Sequence, residues 1–403
     1  MTTAAPASEA ARQHTLRERN LELVARAVFE APGPLSRADV AAATGLARAT
    51  VSTLVDRLVA GGLLRELPAV GGGRAGRPGV PLVPAPRTVV GVGLEANVDY
   101  LGLRVLDLTG DVVAERVLDG AFHDSDPALV LGRLGELARD VVDGLRAQGI
   151  TVAGARLALP GLVDARAGRL EVAPNLGWSS LVPVPLLGLD LPVEIANEAK
   201  LAALAELAGP VPGSFLYVSG DVGIGAAIVV ERALFLGERG WNGEIGHVVV
   251  DPAGPRCSCG AFGCLEQYAG KEAILRGAGL PPDAPLADLL SLLADGGRAP
   301  SAGASAEAER AGAAVRTAGR ALGSALADFV NLVDVSTVVL GGAYTDLLPW
   351  LRPDVEAVLV ERVLAAPLVR IDVRAAAAGP QAALTGGARE VLRGVLGDPA
   401  AWV

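Results

Sequence analysis

All the cysteines of the chain, Cys257, Cys259 and Cys264, fall in the segment GHVVVDPAGPRCSCGAFGCLEQ (residues 246–267), together with His247, one of only three histidines. Four soft or borderline ligands therefore lie within eighteen residues, the number that a closed tetrahedral zinc site requires. Three thiols leave any intramolecular disulfide scheme with one unpaired, and a chain of 403 residues does not need stapling to fold. The plain alternative is three buried, reduced thiols. Gly260 and Gly263 favour the metal, because they permit the tight turns that bring Cys259 and Cys264 around one point. Four protein ligands leave no open position for water, so the spacing predicts a structural zinc ion.

A second group of polar residues stands where apolar runs stop. PNLGW (174–178) carries Asn175, and IANEAKLAALAELAG (195–209) carries Asn197 and Glu198. Between two apolar runs, LYVSGDVGIGAAIVV contains Gly220, Gly223 and Gly225. Such a turn can bring backbone N–H groups close to phosphate, and it can equally be an ordinary tight turn.

The third group is basic. Residues 1–90 hold eleven arginines and no lysine against seven acids, a charge of +4; since the whole chain carries −10, the remainder carries −14. This asymmetry suggests that the first segment meets a polyanion and the larger remainder does not. Its candidate contacts are Arg37, Arg48, Thr50, Ser52 and Arg57, followed by Arg74 and Arg77.

The elements that must position these residues can be read from periodicity. TLRERNLELVARAVFEA places Leu16, Leu23, Ala27 and their apolar neighbours at helical spacing, and PGP ends that helix. Ser36 suits the N-cap of a helix through Ala43, Gly45 suits a turn, and Ala47–Ala60 reads as a second helix with Val51, Leu54, Val55 and Leu58 on one side. Together they form a helix-turn-helix, in which the second helix enters the major groove. GGLLRELPAVGGGRAGRPGVPLVPAP reads as a hairpin wing with Arg74 and Arg77 at its glycine-rich tip, within reach of phosphates or the minor groove. Its Pro-rich end, residues 78–86, reads as a linker or domain boundary. The expected division is therefore 1–86 for the winged helix-turn-helix with its wing and linker, and 87–403 for the rest.

Beyond the linker, RTVVGVGLEANVDYLGLRVLDLTGDVVAERVL alternates like adjoining strands turning at Thr109 and Gly110. Gly91, Gly93 and Ala96 fit the spacing of a dinucleotide fingerprint, but a strand follows where the fingerprint needs a helix. An amphipathic helix over 126–148, capped by Asp126 or Ser125, and the strand VAGARLALPG come next. Antiparallel strands followed by strand–helix alternation indicate an α/β domain. No apolar run reaches the length of a membrane span, and the N-terminus lacks the apolar core of an export signal, so a soluble cytoplasmic protein is expected.

GIGAAI, then Gly237, then Gly243-Glu244-Ile245-Gly246-His247 closely resembles the signature of the ROK family, named for repressor, open reading frame and kinase. CSCGAFGCLE resembles that family's zinc motif, VVLGGAY (338–344) its later glycines, and a winged helix ahead of such a module is the arrangement of its repressors. The resemblance implies a two-lobed, actin-like (ribonuclease H-like) sugar-kinase fold, with lobe one at about 87–200 plus the C-terminal helix and lobe two at about 201–380. It also implies a sugar site built from Asn175, Asn197, Glu198, Glu244, His247 and Glu266. Amides and carboxylates suit a ring of hydroxyls, and His247 can offer one ring nitrogen to zinc and the other to a sugar oxygen.

The sequence departs from the family's kinases at two places. The base position, Asn-Asp in the family, is Asn197-Glu198, and the phosphate loop resembling Asp-x-Gly-Gly-Thr has become Gly93-Leu94-Glu95-Ala96-Asn97. Phosphoryl transfer depends on positioning and charge neutralisation, so the expectation is a catalytically inactive homologue with Glu198 as a vestigial base. The expected function is a sugar-responsive regulator, most simply a repressor, that binds operator DNA as a homodimer or homotetramer and takes a small sugar or sugar phosphate as effector. The alternatives are an ATP-dependent sugar kinase with an appended DNA-binding domain, and a zinc sensor.

Overall fold

The computed structural model describes residues 9–68, 79–221, 223–296 and 305–403. The chain opens with α1 (Glu9–Phe29), β1 (Leu35–Ser36), α2 (Arg37–Thr44), α3 (Arg48–Ala60), β2 (Leu64–Glu66) and β3 (Pro81–Pro84). Ser36 caps α2 in both directions: its hydroxyl accepts from Asp39 N at 3.2 Å while its own N–H donates to the Asp39 carboxylate at 2.9 Å. Gly45, at φ +71°, makes the turn into α3, whose Val51, Leu54, Val55 and Leu58 are buried. In α1 the buried stripe is Leu21, Val24, Ala25 and Val28, while the expected Leu16 and Leu23 are exposed. Two apolar stripes overlap there, and the one that completes the i, i+3, i+4, i+7 pattern is the one that packs.

The Pro-rich stretch is not a linker. Residues 81–84 form the middle strand of a three-stranded sheet in the order β1-β3-β2. The prolines, which have no N–H to donate, stand at the two ends of the strand. The wing tip, with Arg74 and Arg77, lies outside the described residues.

Next follow β4 (Val89–Ala96), β5 (Tyr100–Asp107), β6 (Val112–Asp119), α4 (Pro127–Ala147), β7 (Thr151–Leu159), β8 (Leu162–Asp164), β9 (Arg169–Ala173), β10 (Trp178–Leu181), α5 (Val184–Leu187), β11 (Val193–Asn197) and α6 (Glu198–Glu206). The main sheet runs β11-β7-β4-β5-β6, an antiparallel meander continued by two parallel strands. The same plan recurs with β12 (Phe215–Gly220), β13 (Ile224–Val230), β14 (Ala233–Phe235), β15 (Thr337–Gly342) and β16 (Asp372–Ala375) in the order β14-β13-β12-β15-β16. Around this second sheet stand α7 (Glu266–Ala269), α8 (Lys271–Ala278), α9 (Leu286–Gly296), α10 (Ala306–Val333) and α11 (Ala343–Arg362). Duplication of one sheet plan is the two-lobed, actin-like architecture.

The last helix, α12 (Ala382–Gly397), returns to the first lobe and packs across β4, β5 and β7. Gly91 and Gly93 have their use here: a Cβ at Gly93 would lie 1.9 Å from the carbonyl oxygen of Leu384, so only glycine lets the helix backbone approach the strand. One side of α12 lies along α6. Its Ala388, Leu392 and Val395 share a hydrophobic core with Leu21, Val24, Leu58, Leu63 and Leu82 of the winged helix and with Val89 and Leu106 of the first sheet. The winged helix is therefore packed against lobe one, with Thr88 Oγ1 donating to Gly62 O at 2.5 Å across the junction. Among the described residues, no helix is long and apolar enough to cross a membrane.

Candidate functional site

The six residues assigned to a sugar line one cavity of about 490 Å³ between the lobes. Asn175 comes from a 3-10 turn, Pro174–Leu176. Asn197 ends β11 and caps α6, accepting from Lys200 N at 3.3 Å and donating to Gly161 O at 3.0 Å, so its side chain is held in place before any ligand arrives. Glu198 opens α6 and accepts from Asn97 Nδ2 at 3.3 Å. Glu244 precedes the 3-10 turn Ile245–His247, and Glu266 opens α7 with its carboxylate accepting from Ile224 N at 3.2 Å. Burial raises the pKa of Glu198, Glu244 and Glu266. For Glu244 and Glu266 the neighbouring His247 works against that rise, whereas for Glu198 the nearby Glu95 and Asp221 add to it.

The His-Cys₃ cluster borders the same cavity, which its His247 and Cys259, with Ser258, line. The ligand atoms of His247, Cys257, Cys259 and Cys264 all lie within 4.8 Å of one another. Cys259 Sγ and Cys264 Sγ are 3.6 Å apart, and Cys257 Sγ is 3.7 Å from His247 Nδ1. Zinc–sulfur bonds of about 2.3 Å give a tetrahedral edge of about 3.8 Å, so the spacing and the donor set fit zinc. Because Nδ1 faces the thiols, Nε2 is the ring nitrogen left for the cavity. Burial opposes ionisation of Cys257, but the Cys259 backbone N–H and His247 outweigh it and bring the thiol down to about 7. The loop that delivers the thiols needs Gly263: at φ +70°, a Cβ there would stand 1.5 Å from Asp251 O.

The end of the cleft where a phosphate loop would lie is acidic. Glu95 is fully buried, and burial lifts its carboxyl to about 7 against the stabilising bonds from Tyr100 and Asn97. Asp221, which sequence reasoning did not single out, accepts from Ala343 N at 3.2 Å and from Ser219 Oγ at 3.0 Å. It thus occupies the N-terminal N–H of α11, beside the glycines of VVLGG, where an anion would otherwise be received. The signal was an acid inside the glycine turn GDVGIG. Asn97, which holds Glu198, was likewise missed as a site residue.

In the winged helix, Arg48 and Arg57 are exposed on α3, Thr50 is half-buried, and Thr53 is a further exposed hydroxyl on that helix. Arg37 and Ser52 are bonded to each other. The Arg37 guanidinium donates to Ser52 O at 3.0 Å and Ser52 Oγ at 2.9 Å, and it pairs with Asp56 at 2.7 Å and Glu66 at 2.8 Å. It ties α2, α3 and β2 together, so the expected contact is an internal brace.

The architecture is a winged helix packed on a duplicated, two-lobed α/β fold of the sugar-kinase-like type, with a polar interlobe cavity that a His-Cys₃ cluster borders. Residues 92–393 match the ROK family, and residues 23–75 match the MarR family. The chain belongs to the ROK family. It is 32% identical over 250 residues to a putative xylose repressor of Caldicellulosiruptor sp. (strain Rt8B.4), a match covering 60% of this chain and 61% of the relative. The chain thus spans about three fifths of the length of that repressor. It is 28% identical over 360 residues to the DNA-binding transcriptional dual regulator NagC of Escherichia coli K12, covering 85% of this chain and 86% of the relative. A crystal structure of a ROK family transcriptional regulator, described as a homologue of the E. coli MLC protein, superposes with a TM-score of 0.74 at 26% identity, over 95% of this chain and 99% of that one.

Proposed function

We propose that the chain is a sugar-responsive transcriptional repressor whose kinase-like cleft binds its effector without phosphorylating it. The observation that carries this reading is the contrast between the two ends of the cleft. At one end, amide and carboxylate groups converge on a sugar-sized cavity; at the other, Glu95 and Asp221 place buried acids where a polyphosphate would have to sit. A triphosphate brought there would enter a poorly hydrated medium that already resists the ionisation of these two acids, and would meet like charge wherever either is ionised. Glu198, in place of an aspartate base, carries its carboxylate one methylene further and is already engaged by Asn97. The names of the xylose repressor and NagC support the same reading.

Zinc held by His247, Cys257, Cys259 and Cys264 would serve as a structural ion. It would keep the 257–264 loop and the His247 ring in the orientation the cavity needs. Closure of the lobes on a sugar would pull on Asn197 and Glu198 at the head of α6. That helix lies along α12, and α12 shares its core with the winged helix, so the spacing of two DNA-binding segments would change with occupancy.

An operator of two half-sites would be read by at least a dimer. The exposed Leu332, Leu364 and Leu368, at 84%, 90% and 91% exposure, lie with Val360 around the ends of α10 and α11 and offer an apolar face for a second copy.

A melting-temperature screen against xylose, glucose, N-acetylglucosamine and their 6- or 5-phosphates identifies the effector, because a ligand that binds only the folded chain raises its melting point. The identified sugar should change affinity for duplexes selected from a random pool by at least about tenfold. Turnover of ATP with any of these sugars at about 1 s⁻¹ or faster would overturn the proposal in favour of a kinase.

A further inference from the structure

A second cavity, of about 250 Å³, shares Asn197 with the first and is bounded by α6, α12, the turn after β8 and the segment around β14. Its wall carries Arg156, Arg166, Lys200, Arg239 and Arg393 against a single acid, Glu390. This concentration of positive charge is unexpected in a region that, outside residues 1–90, has a net charge of −14.

The acids available nearby do not neutralise it. Glu390 pairs with Arg393 at 3.2 Å, and the exposed Glu194 pairs with Arg156. Of the other three, Lys200 is within the field of Glu244 from the sugar cavity, Arg239 lies over the Trp241 ring, and Arg166 and Arg239 have no carboxylate partner among these contacts. Lys200 is buried, and its ammonium donates to Gly240 O, a single carbonyl for a group with three donors. Arg156 is more telling: its Nε is buried and has no hydrogen-bond partner. A buried guanidinium N–H left unpaired costs free energy that an acceptor would recover. On the other side the cavity is apolar, with Leu201 and Leu204 from α6 and Leu234 from β14.

We propose that this cavity is a binding site for a small organic phosphate, separate from the sugar site, with the phosphoryl group on Arg156 and Lys200 and the carbon skeleton against the leucines. A surplus of about two positive charges matches a dianion better than a single carboxylate, and the guanidinium fork suits phosphate oxygens. Arg166, Arg239 and Arg393 stand exposed at the rim, where they attract the anion and close over it. Because Asn197 faces both cavities, an occupant here meets the side chain that caps α6 and so reaches the same lever as the sugar. By reciprocity, whatever change the phosphate makes in sugar affinity, the sugar makes in phosphate affinity.

The test uses the full-length, zinc-loaded protein at constant ionic strength, balanced with KCl. Inorganic phosphate, glycerol 3-phosphate and glycerol are each titrated by calorimetry and by melting temperature. Saturable binding of glycerol 3-phosphate, tighter than inorganic phosphate and absent for glycerol, is expected. The rim double variant Arg166→Ala/Arg393→Ala should weaken it on the order of tenfold, and Arg156→Met should abolish it. Glu266→Gln, in the sugar cavity and away from Lys200, should leave it unchanged, which separates this proposal from the reading of the cleft. If inorganic phosphate binds as tightly as glycerol 3-phosphate, the organic part of the proposal fails. If neither binds beyond the KCl control, or the rim variant binds as the parent does, the site does not exist. Should Arg156→Met lose its cooperative melt, the rim variant alone decides.

Discussion

Glu95 offers a direct measure of how hostile its end of the cleft is to negative charge. Its carboxyl is fully buried and is lifted from an ordinary 4.5 to about 7, chiefly by desolvation. An acid whose pKa rises on folding binds its proton more tightly in the native state than in the unfolded one. Between 4.5 and about 7 the folded chain therefore holds the extra proton, and stability falls as pH rises through that window before levelling off above it. At about 1.4 kcal/mol per pH unit, the gap amounts to about 3 kcal/mol of destabilisation at pH 8 that is absent near pH 4.5. Glu95→Gln keeps the shape and the hydrogen-bonding capacity toward Tyr100 and Asn97 but cannot ionise. The variant should match the parent near pH 5 and exceed it by up to about 3 kcal/mol at pH 8, a difference of several degrees in melting temperature. The assay is a series of thermal melts of both proteins, zinc-loaded, at pH 5, 6, 7 and 8. Because Glu198 lies close enough to feel Glu95, removing one charge also eases ionisation of the other, which adds to the gain in the same direction. A difference independent of pH, or a variant less stable than the parent at pH 8, would refute the claim that this end of the cleft repels anions.

The zinc reading predicts about one equivalent of zinc per chain by mass spectrometry of the purified protein. Cys264→Ser should lose that metal, lower the melting temperature and weaken sugar binding on the order of tenfold or more, whereas retention of full sugar affinity without metal would separate the cluster from the cavity. In the DNA-binding segment, Arg48→Ala should reduce the slope of log affinity against log salt by about 1, while Arg37→Ala should lower the melting temperature, because its partners are Ser52, Asp56 and Glu66; an Arg37 variant that melts normally but loses salt dependence would reverse that assignment. Leu364→Asp/Leu368→Asp should shift the chain to monomer in light scattering and, with it, weaken duplex binding, and an unchanged mass would place the dimer contact elsewhere.

What could be read from sequence alone was whatever short-range spacing encodes. The His247–Cys264 quartet was legible because all four ligands lie on one short loop, where glycines and a few residues of chain decide the geometry. Ser36, Gly45 and the apolar positions of α3 announced a helix-turn-helix because caps and helical periodicity are local. The site residues of the cleft were legible only through family resemblance, since Asn175, Asn197, Glu244 and Glu266 stand on separate segments and converge only when two sheets pack. Tertiary structure alone decided the rest. It placed Asp221 against Ala343 N, 122 residues away, and gave Arg37 to Asp56 and Glu66 instead of leaving it to solvent. It turned prolines 81 and 84 into the ends of a wing strand, and it laid α12 against both α6 and the winged helix. These outcomes depend on which faces meet across the fold, and no window of a few turns contains both partners.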